Sequence, residues 1–154
     1  MSTNIESILK SENDQIRSAM AALQALDKNA LVERQEALDN IIYILRTHFA
    51  VEEVVILPII AKNITNGHNI VEAQIKNHQE INKFIEKLIT IPLVDDTHNN
   101  ETENFKKLIK KNIESEEKNI FPLLDHSLLE ADSLEENIKK YQKRSKEIDG
   151  AHSV

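Results

Sequence analysis

The sequence predicts an all-α protein: an antiparallel, up-down-up-down four-helix bundle with a short extra helix at its C-terminus. Three observations predict this fold. The 154 residues include only 2 Gly and 3 Pro, too few turn residues for a protein of many short strands. Apolar residues recur every three to four positions along four long segments, as in amphipathic helices. The connections between these segments are short, so consecutive helices are expected to pack antiparallel.

The first two helices are predicted from a start signal, a turn and a long apolar stripe. Thr3 and Glu6 have the spacing of a capping box, which opens helix one. Residues 27–29 are turn residues, and helix two runs from about 31 to 60. Pro58 is expected to kink its final turn, because proline lacks the backbone donor. The expected core positions in helices one and two are Ile5, Ile8, Leu9, Ile16, Met20, Leu23, Leu26, Leu38, Ile41, Leu45, Phe49, Val55, Ile56 and Ile59.

The second half of the chain continues the same pattern. Residues 63–69 form a loop, helix three runs from about 70 to 89, and residues 92–100 form a polar connection. The expected core positions of helices three and four are Val71, Ile75, Ile81, Ile85, Leu88, Phe105, Leu108, Ile109, Ile113, Ile120, Phe121 and Leu124. Ser133 and Glu136 form a second capping box, which opens a charged tail helix. We therefore divide the chain into a bundle at 1–128 and a charged C-terminal helix and tail at 129–154.

The chain resembles two copies of one helix pair. The segment HFAVEEVVILPII aligns with NIESEEKNIFPLL at an offset of 64 residues, which places Glu52 on Glu116 and Pro58 on Pro122. The segment around Asn13 aligns with the segment around His78 at an offset of 65 residues. Helices one and two are therefore expected to correspond to helices three and four.

Composition excludes several classes of function. The formal net charge of −7 argues against a nucleic-acid-binding protein. No run of apolar residues is long enough to span a membrane, and the N-terminal segment lacks the features of a signal peptide. There are 0 Cys, which excludes thiolate metal sites and cysteine nucleophiles. With its high Lys, Asn and Ile content, the sequence indicates a cytoplasmic, bacterial protein.

Polar residues interrupt the apolar stripe of every helix at positions that an antiparallel bundle brings to a similar height. We call these residues the polar layer: Asn13, His48, Glu52, His78, Asn112 and Glu116. Burial of unpaired charged groups is costly, so the layer needs compensating partners. One solution is a metal ion held by the imidazole and carboxylate groups. The other is a metal-free network in which two protonated histidines pair with two carboxylates and the amides add hydrogen bonds.

The segments HFAVEEVVILPII and EEKNIFPLL resemble the helix-two and helix-four signatures of the hemerythrin-like (HHE cation-binding) family, and the resemblance covers about residues 5–124. It implies a non-haem di-iron site in the bundle core. By position, His48 and Glu52 match the family's helix-two ligands. His78 matches a helix-three ligand, and Glu116 matches the bridging carboxylate of helix four. The resemblance therefore assigns the metal ligands to His48, Glu52, His78 and Glu116.

The sequence departs from the family pattern at two ligand positions. Asn13 and Asn112 stand where the family has histidines in helices one and four. Amide oxygen is a weaker ligand for iron than imidazole, so the resemblance implies an altered iron site, with manganese as an alternative, and not reversible oxygen carriage. Glu12, Glu53 and Glu117 are expected to be solvated or to lie beside the ligands. The histidines outside the layer that are expected on the surface are His68, His98 and His152.

Three functions remain open from the sequence. A metal-binding protein that senses or handles oxygen, nitric oxide or iron would take a small diatomic ligand or a metal ion as its partner. A metal-free bundle would act as a structural or protein-interaction module, with the tail helix as its contact surface. A di-iron oxidase-type enzyme is the third hypothesis, but open coordination positions cannot be recognised in a sequence. No phosphate-binding loop or serine nucleophile motif indicates another enzyme class.

Overall fold

The structure has the helical architecture that the apolar periodicity predicts. It is a computed structural model that describes residues 4–124 and 138–143. No strand occurs in these ranges, and residues 138–143 are helical. The helices are α1 (Asn4–Ala25), α2 (Leu31–Val51), a π-helical segment (Glu52–Ile56), α3 (Leu57–Asn63), α4 (Gly67–Thr90), α5 (Asp96–Asn119) and a short 3₁₀ helix (Phe121–Leu123). Here α2, the π-helical segment and α3 form one continuous arm. Helix α1 packs on α2, α3 on α4, and α5 on both α4 and α1, which confirms the predicted four-helix bundle.

The start of α5 differs from the prediction. The side chain of Asp95 accepts a hydrogen bond from the backbone N–H of Thr97 at 3.0 Å, so this aspartate caps the helix. The helix therefore begins at Asp96, inside the segment that we expected to be a polar connection. The capping boxes predicted at Thr3 and at Ser133 depend on residues outside the described ranges, as does the domain boundary at 128.

The irregularity expected at Pro58 takes the form of the π-helical segment just before it. The backbone N–H of Leu57 donates to the carbonyl of Glu52, five residues earlier, which is the π-helical pattern. The wider turn changes which residues face the core. Leu57 is buried, whereas Val55, which we expected in the core, is only half-buried.

The same change in register affects the following turn. Ile60 is fully buried in α3, whereas Ile59, the predicted core position, is half-buried. One extra residue per turn advances the buried face of a helix by about 100° relative to a regular α-helix. The π-helical segment therefore explains why the predicted stripe of helix two is displaced after Glu52.

The buried apolar residues form two clusters. The large cluster is Ile16, Met20, Leu23, Leu38, Ile41, Ile42, Leu45, Phe49, Ile81, Ile85, Leu88, Phe105, Ile109 and Ile113. The small cluster is Ile5, Leu9, Val51, Ile56, Leu57, Ile60, Ile120, Phe121, Leu124 and Ile138. The polar layer lies between the two clusters in every long part of the bundle: in α1, in α2 with the π-helical segment, in α4 and in α5. The helical segment 138–143 packs against the small cluster through Ile138. None of the described helices is long and apolar enough to cross a membrane.

Candidate metal centre

The structure buries all six residues of the predicted polar layer. Each of them is exposed by 5% or less: Asn13, His48, Glu52, His78, Asn112 and Glu116. Two pairs come from single helical faces, because side chains four residues apart on a helix point in the same direction. His48 and Glu52 lie at the junction of α2 and the π-helical segment, and Asn112 and Glu116 lie on α5. The two-copy pattern in the sequence therefore corresponds to two facing pairs in the core.

His48 lies at the centre of this group. Its Nε2 is 2.9 Å from Glu116 Oε1 and 3.3 Å from Glu52 Oε1. Its Nδ1 is 3.0 Å from Glu12 Oε1 on α1. His48, Glu52 and Glu116 each offer one ligand atom, and these three atoms lie within 4.8 Å of one another. This is a separation that a single metal ion can bridge with modest side-chain adjustment.

His78 joins the group through the other oxygen of Glu52. Its Nε2 is 2.8 Å from Glu52 Oε2, and its ring stacks on Phe49 with the ring centroids 4.1 Å apart and the planes at 17°. The amide of Gln74, one turn earlier on α4, lies 3.3 Å from Glu52 Oε2 and 3.2 Å from His78 Nε2. The Glu52 carboxylate therefore has a different imidazole next to each of its oxygens.

The charges of His48 and Glu52 stabilise each other. Burial by itself lowers the pKa of His48, but the Glu52 and Glu12 carboxylates outweigh burial and raise this pKa to about 10. Burial by itself raises the pKa of Glu52, but His48 and His78 outweigh it and lower this pKa to about 2. At neutral pH the site therefore contains a buried imidazolium between carboxylates.

These contacts leave part of the layer without partners. Six buried polar atoms lack a hydrogen-bond partner in the part of the chain that the structure describes: Asn13 Nδ2, Asn13 Oδ1, Glu52 Oε1, His78 Nδ1, Asn112 Oδ1 and Glu116 Oε2. Each such atom typically costs about 1–3 kcal/mol. Four of the six are oxygens, which are suitable ligands for iron or manganese together with the two imidazoles. The donor set therefore fits a cation of this kind.

Comparison with known proteins identifies the family of the chain and supports its fold. A family model for the hemerythrin HHE cation-binding domain matches residues 4–124. The chain belongs to this family. The solved structure of an HHE cation-binding domain-containing protein from Mycobacterium kansasii aligns with a TM-score of 0.78 at 16% identity, covering 94% of this chain and 90% of that chain. At this identity the similarity bears on the fold alone. No curated protein matches the chain.

Two residues that contact the polar layer were not assigned to a site from the sequence alone. Gln74 was not predicted at all, although it lies four residues before His78 and therefore on the same face of α4. Glu12 was expected either in solvent or beside the ligands, and the structure places it beside His48 with 8% of its surface exposed. Glu53 is exposed, and Glu117 pairs with Arg17 at the surface.

The surface position predicted for His98 is wrong, whereas that of His68 is confirmed. His98 is 2% exposed, and its Nδ1 lies 3.0 Å from Nη2 of the buried Arg34. Arg34 also donates to the backbone carbonyls of Lys28 and Leu93. His98 and Arg34 therefore connect the two interhelical loops at one end of the bundle, away from the polar layer. His152 lies outside the described ranges.

Proposed function

We propose that this hemerythrin-like domain binds iron, with manganese as the alternative metal, at His48, Glu52, His78 and Glu116. These four residues are called the candidate metal site below. The observation that carries the proposal is the group of buried oxygen atoms without hydrogen-bond partners, among the described residues, around two imidazoles. A cation among these atoms would supply the missing partner and would neutralise the excess of carboxylates.

We further propose that the site holds two ions, and that Glu52 would be a ligand of both. Its two oxygens lie next to different imidazoles, Oε1 at 3.3 Å from His48 and Oε2 at 2.8 Å from His78. A carboxylate placed in this way can bind one ion with each oxygen. Glu116 Oε1 is near His48, and its Oε2 has no partner among the described residues. Glu116 is therefore the second candidate for a bridging ligand, in agreement with its alignment on Glu52 in the two-copy pattern.

Asn13 and Asn112 are the proposed weak ligands. Both are buried, and the Oδ1 atom of each lacks a partner in the described part of the chain. Amide oxygen binds iron less strongly than imidazole does, so the proposed site has lower iron affinity than one with histidine at these positions. The proposed role is the sensing or handling of oxygen, nitric oxide or iron, and a small diatomic molecule is the expected ligand of the loaded site.

A metal-free bundle is the second candidate, favoured by the hydrogen bonds of His48 to both Glu12 and Glu116 at 3.0 and 2.9 Å. In this alternative the polar layer fixes the register of the helices, a role known for buried polar residues in coiled coils. The protein would then act as a structural or interaction module. The two candidates differ in one measurable property, the binding of metal.

The test is an anaerobic titration of metal-free protein with Fe(II) and, separately, with Mn(II). The Glu116→Gln variant keeps the size of the buried side chain but removes an anionic ligand, so we expect its metal affinity to fall by at least about tenfold. The control is Glu114→Gln, an exposed position two residues earlier on the same helix, which should bind like the wild type. Absence of binding by the folded wild-type protein would reject the proposal and leave the metal-free bundle.

A further inference from the structure

The helical segment 138–143 contacts the surroundings of the candidate metal site although it lies outside the four-helix bundle. Ile138 is 0% exposed and packs in the small apolar cluster with Ile5 and Leu9 of α1. Tyr141, half-buried, packs against the same cluster. One turn after Ile138, Gln142 Nε2 donates a hydrogen bond to Glu12 Oε2 at 2.7 Å. Apolar packing of Ile138 and Tyr141 therefore holds the segment in a position from which the Gln142 side-chain amide contacts the Glu12 carboxylate of α1.

The carboxylate that Gln142 contacts is the one that orients His48. Glu12 Oε2 accepts from Gln142, and Glu12 Oε1 lies 3.0 Å from His48 Nδ1. The opposite ring nitrogen, Nε2, faces Glu116 and Glu52. Metal binding to His48 requires the loss of the proton on Nε2, whereas Glu12 holds the proton on Nδ1. Such outer contacts typically change metal affinity when they are lost.

We propose that Gln142 is a positioning residue for the candidate metal site, acting through Glu12 on His48, and that the segment 138–143 thereby sets the site's metal affinity. This inference rests on the proposed function. When Gln142 is removed, Glu12 loses the contact that fixes its second oxygen and gains freedom to rotate away from the imidazole. Because coupling between two equilibria is reciprocal, metal binding also strengthens the docking of the segment 138–143.

The experiment measures Fe(II) affinity in full-length variants. In Gln142→Glu the side chain keeps its shape but loses the amide donor. In Gln142→Ala the side chain loses both its length and the amide donor. We expect each variant to bind Fe(II) about threefold to tenfold more weakly than the wild type, less than the roughly 10- to 100-fold typical of a direct contact to a ligand. The matched control, Lys143→Ala, changes the exposed neighbouring residue on the same segment and should leave the affinity unchanged.

A second measurement distinguishes positioning from a general loss of stability. In the wild type, amide hydrogen exchange of residues 138–143 should slow on Fe(II) loading. The factor should be about the same as the difference in Fe(II) affinity between the wild type and Gln142→Ala. In Gln142→Ala this slowing should disappear. In metal-free protein, the imidazole N–H resonance of His48 should shift in Gln142→Ala but not in Lys143→Ala. Wild-type binding with unchanged affinity in both Gln142 variants would overturn this inference alone. Failure of the wild type to bind metal would overturn the proposed function, and this inference with it.

Discussion

Asn112 lies one turn before Glu116 on α5 and lines an open recess of about 100 Å³ together with Asn77, Ile81 and Leu108. The recess gives room for a larger side chain at this position. We predict that Asn112→His increases Fe(II) affinity by about tenfold, because imidazole is a better ligand for iron than an amide oxygen. Anaerobic Fe(II) titration measures the effect.

The control for this substitution is Asn119→His, which adds the same side chain at an exposed position two turns later on α5. Its Fe(II) affinity should equal that of the wild type. An Asn112→His variant that folds but binds Fe(II) no better than the wild type would show that residue 112 does not face the metal.

The buried pair of Arg34 and His98 predicts a dependence of stability on pH. Burial and the neighbouring Arg34 guanidinium lower the pKa of His98 below its usual value of 6.5. Well above pH 6.5 the histidine is neutral in both the folded and the unfolded chain, so it adds no pH dependence there. As the pH falls below 6.5, the unfolded chain takes up the proton first, so this residue destabilises the fold progressively until its folded pKa is reached.

The His98→Gln variant tests this dependence, because glutamine keeps an acceptor for Arg34 and does not titrate. Urea unfolding between pH 5 and 7.5 should show a smaller loss of unfolding free energy on acidification in the variant than in the wild type. The difference in slope has a maximum of about 1.4 kcal/mol per pH unit for one proton. Parallel curves for the two proteins would contradict the prediction.

Single residues also show how far the sequence alone could predict the site. The polar layer could be predicted because each of its members interrupts an apolar stripe of helical period. The burial of His98 could not, because it lies in a polar run, VDDTHNN, and depends on Arg34, 64 residues away in the sequence. The environment of Glu12 could not either, since it depends on Gln142, 130 residues away.

Among the helices, Gly67 determines how closely the start of α4 packs against α3. A Cβ atom at this position would lie 2.2 Å from the backbone oxygen of Ile60, and backbone cannot move aside as a flexible side chain can. We predict that Gly67→Ala lowers the unfolding free energy by about 1–3 kcal/mol, the range typical of overpacking. Urea denaturation of this variant measures the loss.

His68→Ala is the control for this glycine, because His68 is exposed and follows Gly67 in the first turn of α4. Its unfolding free energy should stay within about 0.5 kcal/mol of the wild type. Equal stability of the Gly67→Ala and His68→Ala proteins would show that the two helices do not need this close approach.

The π-helical segment is the element that the sequence could indicate only in part. Pro58 predicted an irregular turn near the end of helix two, because proline removes a backbone hydrogen-bond donor. The apolar pattern nevertheless gave no means of choosing between a kink and an inserted residue, because isoleucine, leucine and valine occupy nearly every position from 54 to 60. The ends of the other helices were predicted to within a few residues, except where Asp95 caps α5 earlier than expected.

At the scale of the whole molecule, a layer of buried imidazole, carboxylate and amide groups separates two apolar clusters. Such a layer stabilises a fold only when its groups are satisfied, and six of its polar atoms lack hydrogen-bond partners among the described residues. A bound cation would be a partner for the four oxygens among these atoms, in keeping with membership of a cation-binding family. We therefore propose that this bundle is built around a metal.

The most direct test of this claim is the metal content per chain after anaerobic Fe(II) loading and removal of unbound metal. We predict about two iron ions per wild-type chain, none or one in His48→Gln, and the wild-type number in the control His68→Gln, which changes an exposed histidine. Helical content measured on the same samples shows whether each variant is folded. Folded wild-type protein that retains no iron under these conditions would show that the bundle is not built around an iron site.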